Sequence, residues 1–143
     1  MRLVRLMATR KIEDLFDCRT LHIIAGSQEL FFLSLYHTNM QGEPQNPIDL
    51  SSINEIEWLF APFSVLKEKA VAMIRKKWTT GDIVILRDGS DGRSNLIQVT
   101  VKSYDTANLQ GAFLHQIVLT DGAGTSFVPF EGVININRRI RVQ

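Results

Sequence analysis

The sequence predicts an α+β protein in which an N-terminal β-hairpin region and an amphipathic helix precede a small C-terminal β-barrel of five strands. Apolar residues recur at steps of three and four over residues 63–78, which is helical spacing. Residues 82–137 instead contain five short β-prone runs separated by turns rich in Gly, Asp and Asn, a pattern typical of small barrels. A chain of 143 residues can bury one core without disulfides or metals, so we expect a single domain.

The N-terminal part of this domain, residues 1–40, is predicted to form a basic start followed by the hairpin. Two apolar runs, residues 21–25 and 30–36, flank residues 26–28, and turn residues between β-prone runs indicate a hairpin. Residues 41–50 carry one glycine and two prolines, which end regular structure. A loop is therefore expected there.

A helical segment is predicted over residues 51–78, in two parts. Ser52 and Glu55 have the spacing of a capping box, which predicts a short helix over residues 53–60. A second and stronger helix is predicted over residues 64–77. The apolar side chains on one face of this helix and at its ends are Phe63, Leu66, Ala70, Met73, Ile74 and Trp78.

The barrel itself is predicted over residues 82–137. Its five strands are expected at residues 83–86, 96–104, 113–119, 126–130 and 133–136. Within the second strand, Ile97, Val99 and Val101 alternate with polar residues, as they would on a strand with one buried face. Residues 121–124 read Asp-Gly-Ala-Gly and predict a tight turn between the third and fourth strands.

This order of elements resembles the Sm-like family of SH3-like small barrels over residues 82–137. Residues 101–109 are similar to the Sm motif, in which an Asp and an Asn three positions apart close the second strand; here these are Asp105 and Asn108. Residues 130–134 stand where the family links its last two strands. The chain lacks the Arg-Gly pair that the family has before its fifth strand. The resemblance therefore does not imply that this chain binds uridine-rich RNA.

A second resemblance covers residues 58–136. Residues 58–68 are similar to the tryptophan, Ala-Pro, Leu-Pro-Glu signature of the YolD-like family, with Trp58 three residues before Ala-Pro and Lys67 in place of a proline. The tail over residues 117–136 is similar to the ending of that family. The resemblance implies a small accessory protein of bacterial or mobile-element origin, sometimes linked to DNA-damage responses, with no known catalysis.

Composition indicates a cytoplasmic protein without a dominant charge. The chain has 16 Lys plus Arg against 15 Asp plus Glu, a formal net charge of +1, so no global field favours a polyanion. Cys18 is the one cysteine and cannot form an intrachain disulfide, as expected in a reducing compartment. The longest apolar run, residues 58–63, is far shorter than the roughly 20 residues that cross a bilayer. No membrane association is expected.

The residues that carry chemistry do not form a recognisable catalytic or metal-binding pattern. The three histidines, His22, His37 and His115, lack the paired short spacing of a zinc site. His115 is expected to face solvent, while His22 and His37 are expected on opposite arms of the hairpin. Cys18 lies between Asp17 and Arg19, whose effects on a thiol oppose each other. We therefore expect no cofactor, no metal and no enzymatic activity.

The sequence predicts a non-enzymatic binding or adaptor protein that acts through protein–protein contacts, with a protein partner or self-association. Trp58, Phe60 and Phe63 exceed the apolar needs of a short helix and are the expected partner-binding residues. The alternative is a nucleic-acid-binding barrel that uses a local cationic face to contact phosphates. The residues expected on that face are Arg75, Lys76, Lys77, Arg138, Arg139 and Arg141.

Overall fold

A computed structural model describes residues 2–7, 20–38, 44–63, 71–86, 95–138 and 140. In this part of the chain nearly all regular structure is β-strand. The helical elements there are a 3-10 turn at Leu50–Ser52 and a single helical turn at Ser103–Thr106. The predicted α+β class is therefore wrong, and the protein is a small, mostly β fold. None of the described helical residues belongs to a helix of membrane-crossing length and apolarity.

Eleven strands form three sheets within the described residues. They are β1 (Arg2–Met7), β2 (Thr20–Ile24), β3 (Glu29–Ser34), β4 (Tyr36–Thr38), β5 (Pro44–Pro47), β6 (Ile53–Pro62), β7 (Ile74–Lys77), β8 (Ile83–Leu86), β9 (Leu96–Val101), β10 (Gly111–Asp121) and β11 (Ser126–Asn137). A four-stranded sheet has the order β1-β3-β9-β8, and a five-stranded sheet has the order β2-β11-β10-β6-β7. Strands β4 and β5 form a small separate sheet.

The two larger sheets enclose one hydrophobic core. Phe31 of the four-stranded sheet lies 6.0 Å, between ring centroids, from Trp58 of the five-stranded sheet. Ile97 and Ile117, one from each sheet, are fully buried in the same cluster. Each of the two larger sheets has two edge strands, so the described residues form an open sandwich and do not form the five-stranded barrel predicted over residues 82–137.

The strands predicted for the barrel exist, but they are divided between the two sheets. Residues 83–86 and the second predicted strand became β8 and β9 of the four-stranded sheet, whereas β10 and β11 belong to the five-stranded sheet. The fourth and fifth predicted strands are one continuous strand, β11. The predicted turn at residues 121–124 is confirmed: Asp121 Oδ1 accepts hydrogen bonds from the backbone N–H of Ala123 and Thr125, both at 3.0 Å.

The two helices predicted within residues 51–78, over residues 53–60 and 64–77, are wrong wherever the structure describes them. Residues 53–62 form β6 and residues 74–77 form β7, and the two strands pair antiparallel, with Phe60 opposite Ile74. Glu55 does not complete a capping box, because its carboxylate accepts hydrogen bonds from the hydroxyl and the backbone N–H of Thr79. Residues 64–70, the first half of the second predicted helix, lie outside the described residues.

The predicted N-terminal hairpin is wrong in its pairing. Strands β2 and β3 lie where two strands were expected, but β2 pairs parallel with β11 and β3 pairs antiparallel with β9. The chain crosses between the sheets at Gly26, whose φ of 80° lies in the left-handed region that glycine adopts most easily. The Gly26 N–H donates to Thr106 Oγ1 at 3.0 Å, which ties this turn to the helical turn after β9.

Candidate partner-binding surface

Strand β6 and the residue that follows it include the three residues predicted to bind a partner. Side chains alternate between the two faces of a strand, and Trp58 and Phe60, each 1% exposed, point into the core. Neither can contact a partner in this fold, so that part of the prediction is corrected. Phe63, just after the strand, is 51% exposed. Its N–H donates to Ala112 O at 3.2 Å, which places it beside the start of β10.

Phe63 lies at the same end of the five-stranded sheet as two other exposed apolar residues. Val71 is 77% exposed and Met73 is 51% exposed. The Met73 N–H donates to Phe60 O at 2.8 Å, so the chain before β7 runs beside the end of β6. We call Phe63, Val71 and Met73 the end patch. Sequence patterning identified one of its three members.

A second exposed apolar pair lies at the opposite end of the same sheet. Phe127 and Val128 follow the turn between β10 and β11 and are partly exposed. Their strand is pinned near this turn by a hydrogen bond between the hydroxyls of Thr120 and Ser126 at 2.9 Å. Because this pair is far from the end patch along β10, it provides a matched control for mutations there.

The three cations predicted at the end of a helix lie instead on β7, where alternation separates them. Arg75 and Lys77 lie on the outer face, and Arg75 pairs with Glu57 at 3.1 Å. Lys76 points inward: its side chain is 9% exposed and its Nζ lies 2.7 Å from Asp105 Oδ2. The three cations therefore do not form one surface.

The C-terminal cations are not brought to β7. Arg75 is level with Glu131 across the sheet, through Leu59 and Gln116. Arg138 is exposed and follows β11 seven residues after Glu131, which corresponds to about 23 Å along the strand at about 3.3 Å per residue. The predicted face is therefore split for its described members. Arg139 and Arg141 lie outside the described residues.

The Lys76–Asp105 ion pair links β7 to the helical turn that follows β9. Asp105 Oδ2 also accepts the Lys102 N–H at 2.8 Å at the start of the helical turn. The same turn receives the hydrogen bond of Gly26 through Thr106. Asp105 thus fixes the position of β7 relative to the connection between the two sheets.

His115 is buried in the centre of the five-stranded sheet, and the expectation that it faces solvent is wrong. It is 1% exposed, and its Nδ1 accepts a hydrogen bond from Trp58 Nε1 at 3.1 Å. The proton of the neutral ring is therefore on Nε2. Nε2 has no hydrogen-bond partner and lies against Gly132, where an added Cβ would be 2.8 Å away.

Burial without a charged partner lowers the pKa of His115 to about 3. The imidazole is thus neutral near neutral pH, and it cannot exchange a proton with a substrate that never reaches it. The signal for its burial was present in the sequence. Phe113, Ile117 and Leu119 are buried in β10 at steps of two from His115, so the period of a strand places all four on one face.

The other two histidines are not neighbours in the way the hairpin implied. His22 is exposed on β2, whereas β4, which carries His37, pairs with β5. Among the residues that the structure describes, no group of three His, Cys, Asp or Glu side chains is arranged to hold a metal ion. Cys18 lies outside the described residues.

No protein-family model matches the chain, and no curated protein matches it. The resemblances to Sm-like barrels and to the YolD-like family therefore stay predictions from the sequence.

Proposed function

We propose that this chain is a non-enzymatic binding or adaptor protein that contacts a protein partner through the end patch. The observation that supports this proposal is the gathering of Phe63, Val71 and Met73, each more than half exposed, at one end of the five-stranded sheet. Exposed apolar side chains that cluster rather than scatter are typical of interaction surfaces. Aromatic side chains and methionine are also enriched at such surfaces.

The charged groups around β7 support the same proposal. Arg75 is paired with Glu57 on the outer face, next to the end patch along the strand. A polar rim around an apolar centre is the usual arrangement of a protein interface. Two buried ionisable groups, His115 and Lys76, have partners or surroundings that serve the fold. The proposal therefore assigns binding to the end patch and structure to the interior.

The test compares the end patch with the opposite end of the same sheet. A photo-reactive phenylalanine analogue is placed at position 63 or, as the control, at position 127, and the chain is irradiated in its own cells. We expect one protein species to crosslink from position 63 and not from position 127. The crosslinked protein is then purified and titrated calorimetrically against the wild-type chain.

In that titration, changing Phe63 and Met73 together to Ser is expected to weaken binding by at least about tenfold, because buried interface anchors each contribute more than about 1 kcal/mol. Changing Phe127 and Val128 together to Ser is expected to leave the affinity unchanged. Equal affinities for both double variants would show that the end patch is not the site.

Nucleic-acid binding is a second candidate, supported by one observation. Arg138 is exposed at the end of β11, the same end of the sheet as the end patch. Fluorescence anisotropy with single-stranded RNA and DNA, at low and moderate salt, tests it. If the C-terminal cations bind phosphates, changing Arg138, Arg139 and Arg141 to Ser lowers the salt slope by about one unit per lost contact. Lack of salt-sensitive binding at micromolar protein excludes this candidate.

A further inference from the structure

The edge strand β2 lacks the protection that the other long edge of its sheet carries. An edge strand presents a row of backbone N–H and C=O groups that can pair with another chain, and proteins usually block it with charges or proline. The opposite edge, β7, carries Arg75, Lys76 and Lys77. In contrast, β2 reads Thr-Leu-His-Ile-Ile and has no charge, proline or glycine.

The edge strands of the four-stranded sheet are β1 and β8, and each is protected in a different way. Strand β1 carries Arg2 and Arg5. Strand β8 is uncharged but only four residues long, and very short edges are themselves poor templates for pairing. Strand β8 also follows β7 through a tight turn, in which the Asp82 N–H donates to Lys77 O at 3.1 Å. Among the described edges of the two larger sheets, β2 is the longest one that carries no charge, proline or glycine.

The hydrogen bonds of β2 show which backbone groups point away from the sheet. The Ala25 N–H donates to Asn137 O of β11 at 2.9 Å. Backbone groups of alternate residues point to opposite sides of a strand, so Leu21 and Ile23 also bond towards β11. Thr20 and His22 then direct their N–H and C=O groups to the open side, where the structure describes no neighbouring strand. The Ile24 N–H points the same way, whereas the Ile24 C=O accepts the Ser27 N–H at 3.1 Å in the turn that follows β2.

The side chains of β2 are complementary to a second, antiparallel copy of the same strand. If the two copies are centred on His22, then Leu21 lies opposite Ile23 of the partner copy, and both are core residues. Thr20 lies opposite Ile24, whose side chain is 50% exposed in one chain. His22 lies opposite itself as a hydrogen-bonded pair. Leu21 and Ile23 thus meet each other, Ile24 meets Thr20, and no Lys, Arg, Asp or Glu side chains oppose each other.

We propose that two copies of this chain pair β2 with β2 about a twofold axis at His22, joining two five-stranded sheets into one continuous sheet. Such an isologous contact closes on itself and gives a dimer, which is the commonest symmetric assembly. It continues the core across the axis and covers Ile24. The inference does not use the end patch, so it goes beyond the proposed function and can fail without affecting it.

A disulfide test reads the twofold axis directly. In a hydrogen-bonded antiparallel pair the two Cα atoms are about 5.5 Å apart, which lies in the range that a disulfide spans. In a Cys18→Ser background, His22→Cys is therefore expected to form a covalent dimer on mild oxidation. Val84→Cys, on the exposed side of edge strand β8, is the control and is expected to stay monomeric. Equal crosslinking of both variants overturns the proposal.

The assembly of the unmodified chain gives an independent measurement. Sedimentation equilibrium of the wild type is expected to give twice the monomer mass, and Ile24→Lys to weaken the dimer at least about tenfold by placing two charges at the new seam. Val84→Lys is expected to have no effect on mass. A monomeric wild type at the highest soluble concentration, or an unchanged dimer in Ile24→Lys with native circular dichroism, overturns the proposal and leaves the end patch untouched.

Discussion

Trp58 Nε1 donates a hydrogen bond of 3.1 Å to His115 Nδ1 inside the hydrophobic core, between two neighbouring strands of one sheet. The two rings meet edge to face, with centroids 6.0 Å apart. This contact satisfies the indole N–H, which needs an acceptor when it is buried. It also fixes the imidazole in the form that carries its proton on Nε2, the nitrogen that faces Gly132.

The buried His115 predicts a loss of stability in acid. Its pKa of about 3 in the folded chain lies below its ordinary value of 6.5. The neutral ring is therefore favoured by folding, and the stability it contributes is complete above pH 6.5 and is lost as the pH falls towards 3. The slope is about 1.4 kcal/mol per pH unit, so roughly 3 kcal/mol is lost by about pH 4.

Urea unfolding at a series of pH values measures this effect against His115→Leu. Carboxylates titrate in the same range in both proteins, so the difference between the two pH slopes isolates the imidazole. We expect the wild type to lose stability more steeply than His115→Leu between pH 6.5 and about 4. Parallel pH profiles would mean that His115 binds a proton equally well in the folded and the unfolded chain. That result would contradict a lowered pKa of His115 in the folded chain.

Gly132 is predicted to be intolerant of even one methyl group. A Cβ at this position would lie 2.8 Å from His115 Nε2 and 3.1 Å from Phe130 Cζ. Because both side chains are buried and packed against each other, neither can move away freely. Gly132→Ala is expected to lower the free energy of unfolding by about 1–3 kcal/mol.

Gly122→Ala is the matched control for this change. The nearest atoms to a Cβ at Gly122 are those of the Asn54 side chain, at 3.9 and 4.0 Å, which is ordinary contact. Thermal unfolding of both variants distinguishes a steric effect at Gly132 from a general loss of chain flexibility. If the two variants melt at the same temperature, the close approach of His115 to Gly132 does not prevent a methyl group from being accommodated there.

Local sequence pattern was sufficient to place several strands. The predicted strand at residues 83–86 has the same bounds as β8, and the second predicted strand begins where β9 begins. These segments alternate or concentrate β-branched residues, so their backbone preference and their burial agree. The turn at residues 121–124 was also predictable, because its sequence, Asp-Gly-Ala-Gly, is typical of tight turns. In the structure Gly124 has a φ of 82° and Asp121 accepts hydrogen bonds from the turn.

Sheet membership could not be predicted in the same way. Leu21 of β2 pairs with Ile134 of β11, and Phe31 of β3 pairs with Val99 of β9. These partners come from distant parts of the chain, and nothing in the short turn between β2 and β3 indicates that the strands enter different sheets. A hairpin was the simplest interpretation of two strands that are adjacent in sequence. In the structure the two strands belong to different sheets and do not pair with each other.

The residues of the candidate site were misplaced because the spacing of a helix cap was given more weight than the burial of alternate apolar residues on a strand. A helix cap contributes about 1 kcal/mol, whereas burying a side chain such as Phe60 contributes about 1.5–3 kcal/mol. Ile56, Trp58 and Phe60 stand two apart, so a strand buries all three on one face. The same strand period leaves Phe63 on the outer face and turns Lys76 inward, away from Arg75 and Lys77.

Breaking the Lys76–Asp105 ion pair is predicted to be costly. Both side chains are nearly buried, at 9% and 11% exposed, so removing one partner leaves the other charge with little water around it. Lys76→Met is expected to lower the free energy of unfolding by about 3 kcal/mol. Asp105→Asn is expected to cost a similar amount, because the amide oxygen can still accept the Lys102 N–H but the Lys76 ammonium is left without a counter-charge.

A double-mutant cycle separates the pair from its surroundings. The combined change of Lys76 to Met and Asp105 to Asn is expected to cost less than the sum of the two single changes, since neither charge is then left alone. The more exposed pair of Arg75 and Glu57 is the control, and its coupling should not exceed about 1 kcal/mol. Strict additivity at Lys76 and Asp105 in chemical denaturation would show that the two residues stabilise the sandwich independently, and would assign Asp105 only its role at the helical turn.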